Sequence, residues 1–323
     1  MNRLSRHLVG GVLALLACSA LAQAWPSRPI KLVIPYPPGG NTDASARVIA
    51  QALQDRLGQP VVPENKPGAT TRIAMEYVAK SAPDGYTLMY ASTTFATNTA
   101  LFGEAGLPFN VQRDFVPVAH LAYYPYTVMV RTSLGVNTLQ ELVTRAKENP
   151  GKITAGTLLG GSMPNLALEL FKRRMDVDLL AVPYKGTGPA LTDLLGDRID
   201  VYFEGRTVVD GHIKSGKVKV LALGWPVRSP NSPDVPTFGE AGYPGFEATA
   251  WFGIAAPAGT PRAIVDRLNR ELVAIVKDPA IHDRLVQMDL IPTGTSPEEF
   301  GRIIREDTDK WAKLIREAGI KPD

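Results

Sequence analysis

The chain has 323 residues, 45% of them hydrophobic and 21% charged, enough apolar material for more than one buried core. Its 35 basic and 32 acidic side chains leave a net charge of +3 with no long basic run, which excludes nucleic acid as a partner, because phosphate binding needs clustered Lys and Arg. The length exceeds the usual single-domain range, so two lobes are expected.

Residues 1–24 read as an export leader. Arg3 and Arg6 supply positive charge, and residues 8–17 are apolar but too short to span a bilayer. Ala22-Gln23-Ala24 has the small-x-small form of a cleavage site, so Trp25 is the expected first residue of a periplasmic protein. Loss of two arginines leaves 33 basic against 32 acidic side chains, about +1. The single cysteine, Cys18, lies in the leader; lipidation there is the competing reading of Leu15-Leu16-Ala17-Cys18. Cleavage after Ala24 removes disulfides, thiolate catalysis and cysteine metal sites together.

In chain order, residues 29–35 begin as a β-branched strand and run into the breakers Tyr36-Pro37-Pro38-Gly39-Gly40-Asn41-Thr42-Asp43. Ala46, Ile49, Ala50, Leu53 and Leu57 then mark one face of a helix ended by Gly58. Residues 61–63 read as a strand, 73–82 as a helix and 86–91 as a strand. This alternation predicts a parallel sheet covered by helices. Thr138 to Glu141 is a capping box opening a helix that stops before Asn149-Pro150-Gly151. Residues 153–157 predict a strand, Pro164 the first turn of a helix, 190–195 a helix, and 199–203 and 218–223 strands. The five prolines of 226–245 mark a return loop. Three helices follow, starting after Thr260, at Pro279 and at a second capping box, Ser296 to Glu299, the last ending at Gly319.

Residues 35–43 carry the clearest ligand signal. Gly39 and Gly40 let a ligand approach the backbone, and the first N–H groups of the following helix have no intrahelical acceptor and sit at the positive dipole end. A carboxylate gains charge-assisted hydrogen bonds there without Lys or Arg, and Asn41 and Thr42 add donors. A capped turn that binds nothing is the competing reading. Residues 156–165 repeat this strand, glycine turn and helix start, with Ser162 as donor or cap. Residues 91–98 form a hydroxyl-rich segment after a strand, either a ligand contact or a capped helix start. Tyr202-Phe203-Glu204-Gly205-Arg206 ends another strand. Arg206 is expected to take a second carboxylate or Glu204 a cationic ligand group, against the alternative of an internal Glu–Arg bridge.

Enzyme signatures are broken or absent. Gly160-Gly161-Ser162-Met163-Pro164 approaches the nucleophile elbow of a serine hydrolase but has Pro164 where the last glycine belongs. Gly186-Thr187-Gly188 lacks the third glycine of a dinucleotide fingerprint. His120, His212 and His282 have no metal-ligand spacing and read as surface or capping residues. Trp25, Trp225, Trp251 and Trp311 read as core or interface.

Ile34 to Arg47 (I-P-Y-P-P-G-G-N-T-D-x-x-A-R) resembles the Bug family of periplasmic solute-binding proteins of tripartite tricarboxylate transporters, which are TctC-like. The likeness continues in P-E-N-K-P-G-A at 63–69, A-P-D-G-Y-T-L at 82–88, V-P-Y-K-G-T-G-P-A-L-T-D-L-L-G at 182–196, S-P-x-x-P-D-V-P-T-F-x-E-A-G at 229–242, W-F-G at 251–253 and A-P-A-G-T-P at 256–261. It covers nearly the whole mature chain. It implies an α/β, two-lobed periplasmic-binding-protein-like (Venus flytrap, type II) fold, with residues 25–124 plus 248–323 in one lobe and 125–247 in the other. It also implies a site built from Tyr36, Pro38, Gly39, Gly40, Asn41, Thr42, Asp43, Ser92, Thr93, Thr94, Gly160, Gly161, Ser162 and Asn165, to which Glu204 and Arg206 are added from the residues themselves. Tyr36 stands where the family commonly has Phe, and Glu204-Gly205-Arg206 stands where it often has Asp-Asn. Family ligands include citrate, C4-dicarboxylates, acidic amino acids, nicotinate-like acids and aromatic dicarboxylates such as terephthalate. A dicarboxylate held by Arg206, and an aromatic one given Tyr36, Phe95, Tyr202 and Phe203, is the expectation here. The expected protein is a monomer without cofactor or metal that presents a small carboxylate to the membrane subunits of the transporter. The alternatives are a sensory module presenting the same ligand to a membrane receptor and, remotely, a hydrolase using Ser162.

Overall fold

A computed structural model describes residues 25–322, apart from Leu159 and the side chain of Glu104. The leader, with Cys18 and the cleavage after Ala24, lies outside these residues. Two sheets are formed. The first begins with β1 (Ile30–Ile34), α1 (Asn41–Leu57), β2 (Val61–Asn65), α2 (Arg72–Ala79) and β3 (Thr87–Ser92). β1 pairs in parallel with β2 on one side and β3 on the other, as the alternation predicts. Gly58 ends α1 in the left-handed region (φ 68°), where a Cβ would strain the backbone. After α3 (Thr94–Phe102) and the short α4 (Val111–Asp114), the eleven-residue β4 (Phe115–Pro125) completes this pass.

The chain then enters the second sheet through β5 (Thr127–Arg131). There follow α5 (Leu139–Glu148), β6 (Thr154–Thr157), α6 (Met163–Met175), β7 (Leu180–Pro183), α7 (Thr187–Leu195), β8 (Val201–Glu204), α8 (Asp210–Lys214) and β9 (Val218–Leu223). A long return leads to β10 (Thr249–Pro257), α9 (Arg262–Lys277), α10 (Pro279–Gln287), β11 (Ile291–Pro292) and α11 (Pro297–Ala318). The strand orders are β11-β4-β10-β3-β1-β2 and β7-β6-β8-β5-β9.

Both sheets are mixed rather than purely parallel. β10 runs antiparallel to β3 and β4, and β5 antiparallel to β8 and β9, because each of these strands enters its sheet by a crossover from the other lobe instead of through a covering helix. Helix ends follow the chemistry of their caps. Thr138 Oγ1 accepts from Glu141 N–H (3.1 Å) and Ser296 Oγ from Glu299 N–H (3.2 Å), while Gly319 (φ 63°) stops α11.

Among the described residues the chain crosses between the sheets twice, and the two crossings lie side by side. Tyr126 N–H donates to Ala248 C=O (2.8 Å), Gly224 N–H to Tyr126 C=O (2.8 Å) and Ala248 N–H to Gly224 C=O (3.2 Å). At Gly224 a Cβ would stand 3.0 Å from both carbonyl oxygens, so glycine is what lets the two crossovers touch. Each lobe has its own aromatic packing: Phe95 on Phe115 and Trp251 on Phe300 in the first, Phe171 on Phe203 and Phe238 stacked on Phe246 at 3.9 Å in the second.

His120 corrects the surface-or-capping expectation. It lies fully buried on β4 among Tyr123, Trp251 and Phe300, with Nδ1 2.6 Å from Thr293 Oγ1 and Nε2 unpartnered. Among the described residues no helix is long and apolar enough to cross a membrane, and no group of three His, Cys, Asp or Glu could hold a metal ion.

Candidate functional site

The glycine loop between β1 and α1 opens outwards. Pro37, Pro38, Gly39 and Gly40 are exposed, and a Cβ on either glycine would meet nothing within 4 Å. Gly39 has φ 96°, a conformation that favours glycine. Gly40 is the N-cap of α1 and no side chain caps that terminus, so its first N–H groups keep their donor capacity. Asp43 is buried inside the loop and organises it. Its carboxylate accepts from Gly39 N–H (3.1 Å), Arg47 Nε (3.0 Å) and Asn65 Nδ2 (2.8 Å). Burial pushes the Asp43 pKa up, but those hydrogen bonds outweigh it and hold the carboxyl below its ordinary value. Asn65 Nδ2 also donates to Tyr36 C=O (2.9 Å), and Asn41 Nδ2 to Met288 C=O (3.1 Å).

A chain of hydroxyls lies beside the loop. Tyr36 and Ser92 are 3.3 Å apart, Ser92 and Thr94 2.7 Å, and Thr71 donates to Thr94 Oγ1 at 2.9 Å. Thr71 is the last of three consecutive non-glycine residues with positive φ, Ala69 (48°), Thr70 (50°) and Thr71 (71°). Such conformations cost about 1–3 kcal/mol each and persist only where the surroundings hold them, here through Asn98 Nδ2 donating to Thr70 C=O (2.8 Å). Thr93 is placed apart from this chain: its Oγ1 accepts from Trp251 N–H (2.7 Å), tying β3 to β10.

In the second lobe α6 likewise starts without a side-chain cap, behind Gly161 (φ 77°). Gly161 N–H donates to Asn165 Oδ1 (3.3 Å), and the buried Ser162 hydroxyl has no partner among the described residues. A Cβ on Gly161 would reach to 2.7 Å of Leu101 on α3, so this loop of the second lobe meets the first lobe directly.

Glu204 ends β8 of the second sheet. It is 7% exposed, and its carboxylate accepts from Gly205 N–H (2.9 Å), Thr187 Oγ1 (3.0 Å) and, more weakly, Tyr202 Oη (3.5 Å). Burial raises its pKa against the pull of those donors. Burial first, and the Glu204 charge in addition, raises the hydroxyl pKa values of Tyr36, Tyr124 and Tyr126. Thr187, Tyr126 and Thr71 are contributors that sequence reasoning passed over. Gly186-Thr187-Gly188 was legible as a glycine-flanked helix start, and a Cβ on either glycine would meet nothing within 4 Å.

Arg206 departs from the expectation of a guanidinium open to ligand, and from an internal bridge to Glu204. Its Nη1 lies 2.7 Å from Asp210 and its Nε 3.1 Å from Asp289. Asp289, 7% exposed, follows α10 in the first lobe and also accepts from Ser229 Oγ (3.0 Å) and Asn231 Nδ2 (2.9 Å). The pair therefore clips one lobe to the other. Arg206→Ala is expected to weaken dicarboxylate and matching monocarboxylate binding by the same factor, with a lowered melting temperature. Removing one partner of a buried pair costs about 3–5 kcal/mol, and less here because Ser229 and Asn231 still serve Asp289. A loss confined to dicarboxylates in calorimetry would put Arg206 on the ligand. Phe95 and Phe203 are core residues in contact with Phe115 and Phe171, so of the four aromatics thought to favour a planar ligand only Tyr36 and Tyr202 bring groups to this region.

A family model described as the tripartite tricarboxylate transporter family receptor, TctC, matches residues 45–320. The chain is 37% identical over 306 residues to protein BugT of Bordetella pertussis, covering 95% of this chain and 94% of that protein. Among solved structures, R. palustris Rpa4515 with adipate superposes with a TM-score of 0.82 at 34% identity, covering 93% of this chain and all of that one. MatC from Rhodopseudomonas palustris with bound malate superposes with a TM-score of 0.78 at 32% identity, covering 90% of this chain and all of that one. The chain belongs to the TctC family of tripartite tricarboxylate transporter receptors, non-enzymatic periplasmic solute-binding proteins with two α/β lobes.

Proposed function

We propose that this receptor captures a short aliphatic dicarboxylate in the periplasm and carries it, in the closed form, to the membrane subunits of a tripartite tricarboxylate transporter. On this reading the leader is cleaved after Ala24, and the lobes of residues 25–124 plus 248–323 and 125–247 close as two bodies about the hinge at Tyr126, Gly224 and Ala248. The observation that carries it is the pair of uncapped helix N-termini, α1 in one lobe and α6 in the other, each behind a positive-φ glycine. One carboxylate at each terminus makes the ligand a bridge that binds the closed arrangement better than the open one, and a ligand shifts the equilibrium only by that difference. The adipate and malate held by Rpa4515 and MatC support the dicarboxylate class.

Calorimetry on the chain starting at Trp25, against succinate, malate, adipate, citrate and terephthalate with propionate and benzoate as single-carboxylate controls, tests this. At least one dicarboxylate is expected to bind with Kd near or below 1 μM, about −8.2 kcal/mol, and the controls at least tenfold more weakly. Folded protein that binds nothing in the panel, or that binds the controls as tightly, removes the reading.

A further inference from the structure

We infer that Glu204 is a specificity residue, accepting a hydrogen bond from a hydroxyl or ammonium group on the carbon chain of the captured dicarboxylate and disfavouring dicarboxylates that lack such a donor. The inference rests on the capture reading above and narrows its ligand class.

Glu204 is a carboxylate in a site otherwise arranged to attract carboxylates, and no cation offsets it. Arg206, two residues on, is turned to Asp210 and Asp289, and the groups that hold Glu204 are a backbone N–H and hydroxyls. Burial raises its pKa, as it must for a buried acid without a charged partner. An ionised carboxylate offers about four acceptor positions. Gly205 N–H, Thr187 Oγ1 and the Tyr126 hydroxyl serve it, and the fourth donor, Tyr202 Oη at 3.5 Å, is held loosely enough for a better donor to take its place. Thr187, which donates to Glu204, is flanked by Gly186 and Gly188, where a Cβ would touch nothing within 4 Å. A plain methylene laid against Glu204 strips water from the charge and returns no bond, and a third carboxylate meets like charge. A donor on the chain satisfies the acceptor.

Succinate, malate and aspartate share four carbons and two carboxylates and differ only in hydrogen, hydroxyl or ammonium at C2. Titration calorimetry at pH 7 should show malate or aspartate binding to the wild type at least about tenfold tighter than succinate, a difference of about 1.4 kcal/mol. Preference for malate assigns the hydroxyl and preference for aspartate the ammonium. Glu204→Gln, which keeps the size and removes the charge, should shrink the preference over succinate at least fivefold. Equal wild-type affinity for all three overturns the inference and leaves capture standing. An unchanged preference in a folded Glu204→Gln protein also overturns it. If none of the three binds the wild type while other acids do not bind either, capture itself fails. Should Glu204→Gln not fold, the wild-type ratio decides alone.

Discussion

Gly205→Ala is expected to weaken ligand capture by one to two orders of magnitude while the protein stays folded. The backbone there is ordinary extended chain (φ −67°, ψ 144°), so alanine adds no conformational strain. The obstacle is steric: a Cβ would stand 1.8 Å from Tyr124 Oη, 2.0 Å from Cζ and 2.6 Å from Cε2. Tyr124 belongs to β4 of the first lobe and cannot swing freely. Its ring lies 6.2 Å from Phe252 and 5.7 Å, edge on, from Tyr126, and its hydroxyl is 3.3 Å from Thr207. The cheaper relief is for the lobes to part at the point where β8 of one faces β4 of the other. Overpacking of this kind costs about 1–3 kcal/mol, and a penalty paid only in the closed state appears as about a 5- to 150-fold loss of affinity. Calorimetry should give that loss, and solution scattering with ligand should keep the profile of the open form. Because Gly205 N–H also holds Glu204, Tyr124→Leu in the Gly205→Ala background separates the two causes. Recovery of binding there identifies the wedge, and wild-type affinity for Gly205→Ala alone rejects it.

The contact that makes Gly205 sensitive was not legible in the sequence, whereas the glycine loop of residues 35–43 was. Elements whose ends are set by local chemistry read well: Gly58 and Gly319 stop their helices, Thr138 and Ser296 cap theirs, and β9 runs over Val218–Leu223 as predicted. Three strands flanked on both sides, β4, β5 and β10, do not follow from the sequence pattern. All nine residues of β10 are buried, so the alternation that marks a half-exposed strand is absent, and Pro117 interrupts β4. The site divides in the same way. Gly39, Gly40 and the uncapped start of α1 follow from a turn and a helix beginning, which are local. Thr187 beside Glu204 is brought from 17 residues away by the α7–β8 connection and Asp289 beside Arg206 from 83 residues away by the return crossover, and residue type alone does not pair them.

The unfolding free energy is expected to fall by about 2.3 kcal/mol between pH 6.5 and 4.5 on account of His120 alone. Burial among Tyr123, Trp251 and Phe300 disfavours the imidazolium, and the distant charge of Glu299 offsets little of that, so the pKa is pushed down to about 3. In the unfolded chain the ring titrates near 6.5. Below that pH the unfolded state binds a proton that the folded state refuses. The neutral ring's contribution to stability is therefore complete well above pH 6.5 and is lost as pH falls through 6.5 towards 3, the slope approaching about 1.4 kcal/mol per pH unit between those values. Acids with raised pKa values, the buried Glu204 and the half-buried Asp210 and Asp307, act in the opposite sense, since folding takes up their protons as the pH drops. The total slope thus mixes both kinds of group, and the informative quantity is the difference between the wild type and His120→Gln in urea unfolding at pH 7.0, 5.5 and 4.5. Glutamine can still meet Thr293 Oγ1 but cannot titrate. Its stability is expected to lie below the wild type at pH 7.0 and to close the gap by about 2.5 kcal/mol at pH 4.5, and a gap that stays constant across the three pH values would mean that His120 carries the same charge in both states.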